Sequence, residues 1–222
     1  GQTLRIRYVS EGVYVGGNVT LSAVTLTGEQ PLPVGVLDVD PLALGAVTHD
    51  LSVLGEADWK HFGLTGVTSV NRKAGVPDLI GDYTPVGVAS ALRYSGNATY
   101  RQSAAWNDGT PRASHPGTPS GLYFNGQGAG YTLSLPAGVS ERTAHLLLGG
   151  WKSGGRLEVE LSDGSASPAV ARFENRYGVY DRLVVIRYRA AADGQTLRIR
   201  YVSEGVYVGG NVTLSAVTLT GG

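Results

Sequence analysis

Between Thr3 and Val9 apolar and polar side chains alternate, with Leu4, Ile6 and Tyr8 on one side and Arg5 and Arg7 on the other. A period of two marks a strand with one face on a core. Glu11-Gly12 predicts a turn into Val13 and Val15, and Gly16-Gly17-Asn18 a second turn into Val19–Leu26, where Val19 and Leu21 continue the apolar pattern. From Thr48 onward the chain reads as short strands separated by turn signals about 8–12 residues apart. The segments are Asp50–Leu54, Thr68–Arg72, Ala91–Tyr94, Gly121–Asn125, Tyr131–Leu135, Ala144–Leu148, Arg156–Leu161, Ala169–Phe173 and Leu183–Arg189. Turns are marked by Asn107-Asp108-Gly109, Pro136-Ala137-Gly138, Ser153-Gly154-Gly155 and Asp163-Gly164. Ser140–Leu148, with Ser140 as cap, is the best helix candidate, although its leucine run serves a buried strand equally well. The pattern predicts an all-β chain: an antiparallel β-sandwich, jelly-roll-like, with its terminal strands duplicated at both chain ends.

The duplication is literal. Residues 1–28 and residues 194–221 carry the same letters throughout, and the identity stops where Glu29 faces Gly222. Leu197, Ile199 and Tyr201 therefore repeat Leu4, Ile6 and Tyr8. So long a period makes each copy the edge of a whole domain rather than a solenoid unit. Two origins fit: a window cut from a tandem array, or a deliberate duplication of the terminal segment. A start at Gly1, the lack of Met and the lack of a tag favour the array. The expected division is 1–28 as terminal strands of a preceding or neighbouring module, 29–47 as a connector, and 48–222 as the β-sandwich module. Residues 29–47 hold Pro31, Pro33 and Pro41 with few charges, as an extended connector would, with an edge strand near Val34–Val39.

Two identical strand sets facing one docking slot leave one set with an unpaired apolar edge, which invites another chain. The expectation from this is head-to-tail association with copies of itself. Leu4, Ile6, Tyr8, Val13, Val15, Val19, Leu21, Leu197, Ile199 and Tyr201 are the predicted contact residues.

Composition narrows the function classes. The 222 residues carry 18 Lys+Arg and 18 Asp+Glu, so a formal charge of zero argues against nucleic acid as a partner. Without Cys there is no disulfide framework, thiolate metal site or cysteine nucleophile. No apolar run reaches the roughly 18 residues of a membrane span. The 33 Gly and a charged fraction of 16% describe a turn-rich, weakly charged surface, common in secreted modules.

Ala57-Asp58-Trp59-Lys60-His61-Phe62-Gly63 resembles the opening of a β-sandwich module found in large secreted bacterial proteins, often beside polysaccharide-degrading domains. Arg72-Lys73-Ala74-Gly75, Trp106-Asn107-Asp108-Gly109-Thr110-Pro111, Gly121-Leu122-Tyr123, Gly128-Ala129-Gly130-Tyr131 and Tyr177-Gly178-Val179-Tyr180 are further echoes. The closing stretch from Tyr188 to Leu197 fits as well. The likeness runs over about residues 48–221. It implies an accessory, non-catalytic role and a location that is secreted, extracellular or on the cell surface.

The chemistry-bearing residues suggest little catalysis. His49, His61, His115 and His145 stand in no HxH or HExxH spacing. No G-x-S-x-G elbow is present. Glu158 and Glu160, interleaved with Leu157, Val159 and Leu161, read as the solvated side of a strand rather than a glycosidase pair. No cofactor is expected; Asp38, Asp40, Asp108 and Asp163 leave calcium open as a loop brace, without an EF-hand or RTX pattern. Three Trp and 12 Tyr are enough for both a core and a ring-stacking platform. Trp59, His61, Trp106, Asn107, Asp108 and Trp151 are the glycan-binding candidates. The functional expectation is a non-enzymatic extracellular structural or adhesive repeat joined into a fibre or stalk, with a carbohydrate-binding accessory module as the alternative.

Overall fold

The computed structural model describes residues 34–99 and 101–222. The chain enters with β1 (Val36–Leu42), then β2 (Thr48–Asp50) and a single helical turn, α1 (Leu51–Leu54). Asp50 caps that turn through its carboxylate, which accepts from the backbone N–H groups of Ser52 and Val53. The cap explains why the strand expected over Asp50–Leu54 forms a helical turn instead: an aspartate at this position favours the start of a helix. Short strands follow: β3 (Asp58–Phe62), β4 (Val70–Lys73), β5 (Thr84–Val86), β6 (Leu92–Tyr94), β7 (Ser103–Trp106), β8 (Gly109–Thr110) and β9 (His115–Thr118). Then come β10 (Gly121–Asn125), β11 (Gly130–Ala137) and three long strands, β12 (Arg142–Leu161), β13 (Ala169–Arg189) and β14 (Gln195–Gly221). The expected all-β sandwich is what the chain forms.

An eleven-stranded sheet runs in the order β1-β13-β12-β14-β3-β4-β8, with β10, β11, β5 and β6 attached beside that path. A smaller sheet pairs β2 parallel to β7 and β7 antiparallel to β9. β14 is the central strand. One edge pairs with β12 over its whole length, and the other meets β11, β10 and β3 in succession. Glycines at 149, 150, 154, 155, 205, 209 and 210 lie within β12 and β14, where the pairing register also shifts. The sequence reads several of these glycines as turns between strands; here they bend continuous strands. Glu204-Gly205 and Gly209-Gly210-Asn211, the counterparts of the turns expected at 11–12 and 16–18, are both inside β14. Ser153-Gly154-Gly155 likewise falls inside β12, as does the helix candidate Ser140–Leu148 from Arg142 onward. β1 pairs along β13 from Val36 to Leu42, so this part of the connector is an edge strand of the module, where Pro41 is tolerated.

The core follows from the alternation. Leu197, Ile199 and Tyr201 point inward from β14 and meet Leu133, Leu135 and Tyr131 of β11 and Leu157, Val159 and Leu161 of β12. Farther along, Val212, Leu214, Val217 and Leu219 are also fully buried. A second apolar cluster gathers Leu51, Trp59, Ala104, Trp106, Leu147, Leu183 and Val185.

Candidate functional site

The sequence candidates divide into two places. Trp59 is 0% exposed and Trp106 3%. Their ring centroids are 5.4 Å apart, and Trp106 also stacks on His61 and His115, both at 5.2 Å. The indole N–H of Trp59 donates to Asp108 at 2.9 Å, the Ser52 hydroxyl donates to the same carboxylate, and Lys73 pairs with it. Burial pushes the Asp108 carboxyl up, but these three partners more than offset it and hold it below the ordinary carboxylate range. His61 is fully buried, donates from Nε2 to the Ser120 carbonyl, and is pushed down to about 3, chiefly by burial. Asn107 is exposed, and its backbone N–H donates to Ser52. This constellation is a knot that fixes the Asn107-Asp108-Gly109 turn onto the core. The expected glycan platform is not there, because the turn folds its tryptophan inward: Gly109 is needed beside it, since a Cβ there would lie 2.7 Å from the Trp106 ring.

Trp151 is different. It is 37% exposed and stands at a bulge where β12 shifts register against both β13 and β14. The next residue, Lys152, has φ of 45°, the one non-glycine in the left-handed region among the described residues. Such a conformation costs about 1–2 kcal/mol for an L-residue, and bulges commonly re-aim a neighbouring side chain. Here the bulge turns the indole outward, with the Lys152 ammonium 4.8 Å from its ring centre. Trp151 pairs with Val179 on one side and Asn211 on the other. Together with Tyr94, Tyr123, Arg101 and Thr213 they line an open groove of about 400 Å³.

Several polar side chains of this groove are already engaged. Arg101 is clamped to Asp181 by Nε and Nη2 and lies 4.2 Å over the Tyr94 ring. The Tyr94 hydroxyl pairs with Ser215 at 2.7 Å, Thr213 accepts from Arg101, and the side-chain amide oxygen of Asn97 accepts from the Thr99 N–H. Tyr94, Tyr123 and Trp151 bring ring surface to the groove, beside the side chains of Ser95, Asn97 and Asn211. Sequence reasoning named Trp151 but missed Tyr94, Tyr123 and Arg101, which belong to separate strands and loops; only the pairing of β6 with β10 and β10 with β14 brings them together.

A second open cleft, about 480 Å³, runs over the outer side of β11, β12 and β14. It is crossed by the pairs Glu158–Arg200 at 2.8 Å and Glu160–Arg198 at 3.6 Å. As expected, these glutamates form the solvated side of a strand. Among the described residues no group of three or more His, Asp or Glu is placed to hold a metal ion. No helix among them is long and apolar enough to cross a membrane.

No protein-family profile matches the chain, and no curated protein does. A solved structure is similar: a cyclase from Fischerella sp. TAU in complex with 4-(1H-indol-3-yl)butan-2-one. Identity is 16%, the match covers 66% of this chain and 91% of that one, and the TM-score is 0.34. At that score no chemistry transfers.

The fibre-forming and carbohydrate-binding expectations are corrected here. Leu197, Ile199 and Tyr201, expected at a contact between chains, are at most 1% exposed in the core of their own module. Trp59, His61 and Trp106 are buried and unavailable to a sugar. Leu4, Ile6, Tyr8, Val13, Val15, Val19 and Leu21 lie outside the described residues.

Proposed function

We propose that the module is a non-catalytic binding domain whose ligand is a flat aromatic group laid on Trp151 in the groove with Tyr94 and Tyr123. The observation that carries this reading is the exposed indole held outward by the strained bulge at Lys152. A residue kept in an unfavourable conformation persists where its surroundings over-determine it, and such residues cluster at ligand sites. An aromatic guest suits the groove better than a polyhydroxylated one. Offset stacking on its rings contributes about 0.5–1.5 kcal/mol per pair, and the side chains of Tyr94, Arg101 and Thr213 are already bonded within the protein. The absence of catalysis is part of the same proposal. It is supported by Asp58, Asp108 and Asp181 each being committed to a cation and to backbone or indole donors. The resemblance of the Ala57–Gly63 stretch supports placing the module in a secreted protein.

The three tryptophans give three indole N–H signals, so ¹H–¹⁵N correlation spectra read the sites separately. Titration with p-cresol is expected to move the Trp151 signal saturably and leave those of Trp59 and Trp106 in place, and Trp151→Ala is expected to abolish the effect. No saturable shift, or a shift with glucose and none with p-cresol, overturns the reading.

A further inference from the structure

The groove beside Trp151 holds a fixed cation with donors to spare. We infer that the guest of this groove is an aromatic acid, its ring laid on Trp151 and its carboxylate bonded to the guanidinium of Arg101. This rests on the reading of the groove as an aromatic site and names the chemical class of the guest.

The sheet register places the two ends of such a molecule. Trp151 pairs with Val179 and Asn211; two residues back along β12, Gly149 pairs with Asp181 and Thr213. The two rows lie on one face of the sheet, about 7 Å apart. Tyr123 continues the second row, opposite Thr213. Gly149 has no side chain, and a Cβ there would lie 2.5 Å from Oδ1 of Asp181, so the gap in this row is where the Asp181 carboxylate lies. Arg101 reaches that carboxylate from between β6 and β7, through Nε and Nη2, and bonds Thr213 through Nη2 as well. The guanidinium is thereby fixed in the row next to that of Trp151.

Its remaining donors and its surroundings select an anion. The Arg101 side chain is 8% exposed, and the Tyr94 ring covers one face of the guanidinium at 4.2 Å, so its direction is set before a guest arrives. Asp181 occupies the edge formed by Nε and Nη2, whereas Nη1 meets no acceptor among the described residues. A planar guanidinium fork can offer its other edge to a second carboxylate. Among the described residues that line the groove, Arg101 alone is charged, so no acid on the groove wall repels an anion. The Lys152 ammonium at the Trp151 ring adds positive charge one row away. A hydrogen bond between charged partners is about twice as strong as a neutral one. An aryl ring stacked on the indole, with a carboxylate on a one-carbon arm, spans the step between the rows; a phenol without the arm occupies only the first.

The probes are 4-hydroxyphenylacetate, its neutral amide 4-hydroxyphenylacetamide, and p-cresol, each titrated into the full chain near neutral pH while the Trp151 indole N–H signal is followed. All three carry the same phenol ring and differ in the arm. The acid is expected to bind roughly tenfold more tightly than the amide, the worth of one charge-assisted bond. Arg101→Lys keeps a cation for Asp181 but has no second edge, so the acid is expected to lose its advantage over the amide while p-cresol still binds. Equal binding of acid and amide by the wild-type protein overturns the inference and leaves the aromatic site standing, whether or not the variant folds. An advantage that persists in Arg101→Lys overturns it too. If p-cresol gives no saturable shift, the aromatic reading falls and this inference with it.

Discussion

Substituting His61 gives the sharpest check on the physical account of the buried knot. The imidazole is 0% exposed on β3, with Trp106 stacked at 5.2 Å and a Ser120 carbonyl 3.3 Å from Nε2; Nδ1 has no partner among the described residues. Burial pushes its pKa down from 6.5 to about 3; the Ser120 bond raises it somewhat and His115 lowers it further. The folded protein thus keeps this ring neutral, while the unfolded chain protonates it below pH 6.5. Stability from this group is fully present above pH 6.5 and is lost as pH falls below it. Between pH 7 and pH 5 the unfolded state gains a factor of roughly 25, or about 2 kcal/mol. His49, His115 and His145 are also shifted down, mainly by burial, and add to the wild-type slope with the same sign. His61→Phe isolates the one ring, because it keeps a flat side chain against Trp106 and removes the titration. Urea unfolding followed by tryptophan fluorescence at pH 7, 6 and 5 measures both proteins. The variant is expected to start less stable at pH 7, having lost the Ser120 bond, and to lose about 2 kcal/mol less than wild type by pH 5. Parallel slopes for the two proteins refute the reasoning.

Two further outcomes follow from the tyrosines at the bend. A Cβ at Gly155 would lie 2.2 Å from the Tyr201 hydroxyl oxygen, which donates to the Gly149 carbonyl and is fully buried; Gly155→Ala is expected to cost about 3 kcal/mol by thermal unfolding, and adding Tyr201→Phe to return part of it. Tyr131 is as deeply buried, yet its hydroxyl has no partner among the described residues, so Tyr131→Phe is expected to leave stability unchanged or raise it by about 1 kcal/mol, while Tyr201→Phe alone lowers it.

Local strand character was legible wherever alternation was uninterrupted. Gly121–Asn125 matches β10 residue for residue, and the inward set Leu197, Ile199, Tyr201 was readable from period two alone. Strand length was not. Arg156–Leu161 and Ala144–Leu148 read as separate strands because Gly149, Gly150, Gly154 and Gly155 intervene, and glycine pairs signal turns in a local reading. In this fold three of them make room for close neighbours, the Tyr180 carbonyl at Gly149, the Tyr180 ring at Gly150 and the Tyr201 ring at Gly155, and only a partner strand, absent from local sequence, distinguishes a bend from a stop.

The same ambiguity decided the tryptophans. Trp106 and Trp151 both stand beside turn residues, and that neighbourhood alone predicts exposure for each. They separate on what the neighbouring backbone does next. After Trp106 the chain doubles back at Gly109, so that the indole N–H meets the Arg112 carbonyl at 2.9 Å and the ring is enclosed. After Trp151 it does not double back. Both long partners continue, β12 absorbs one extra residue at Lys152, and the ring is displaced outward. A tryptophan next to glycine is therefore a surface candidate only where the strand survives the glycine. The exposed ring of this module belongs to its central strands, whose bend sets the angle of the indole, and the same packing that forbids a methyl group at Gly155 keeps that bend in place.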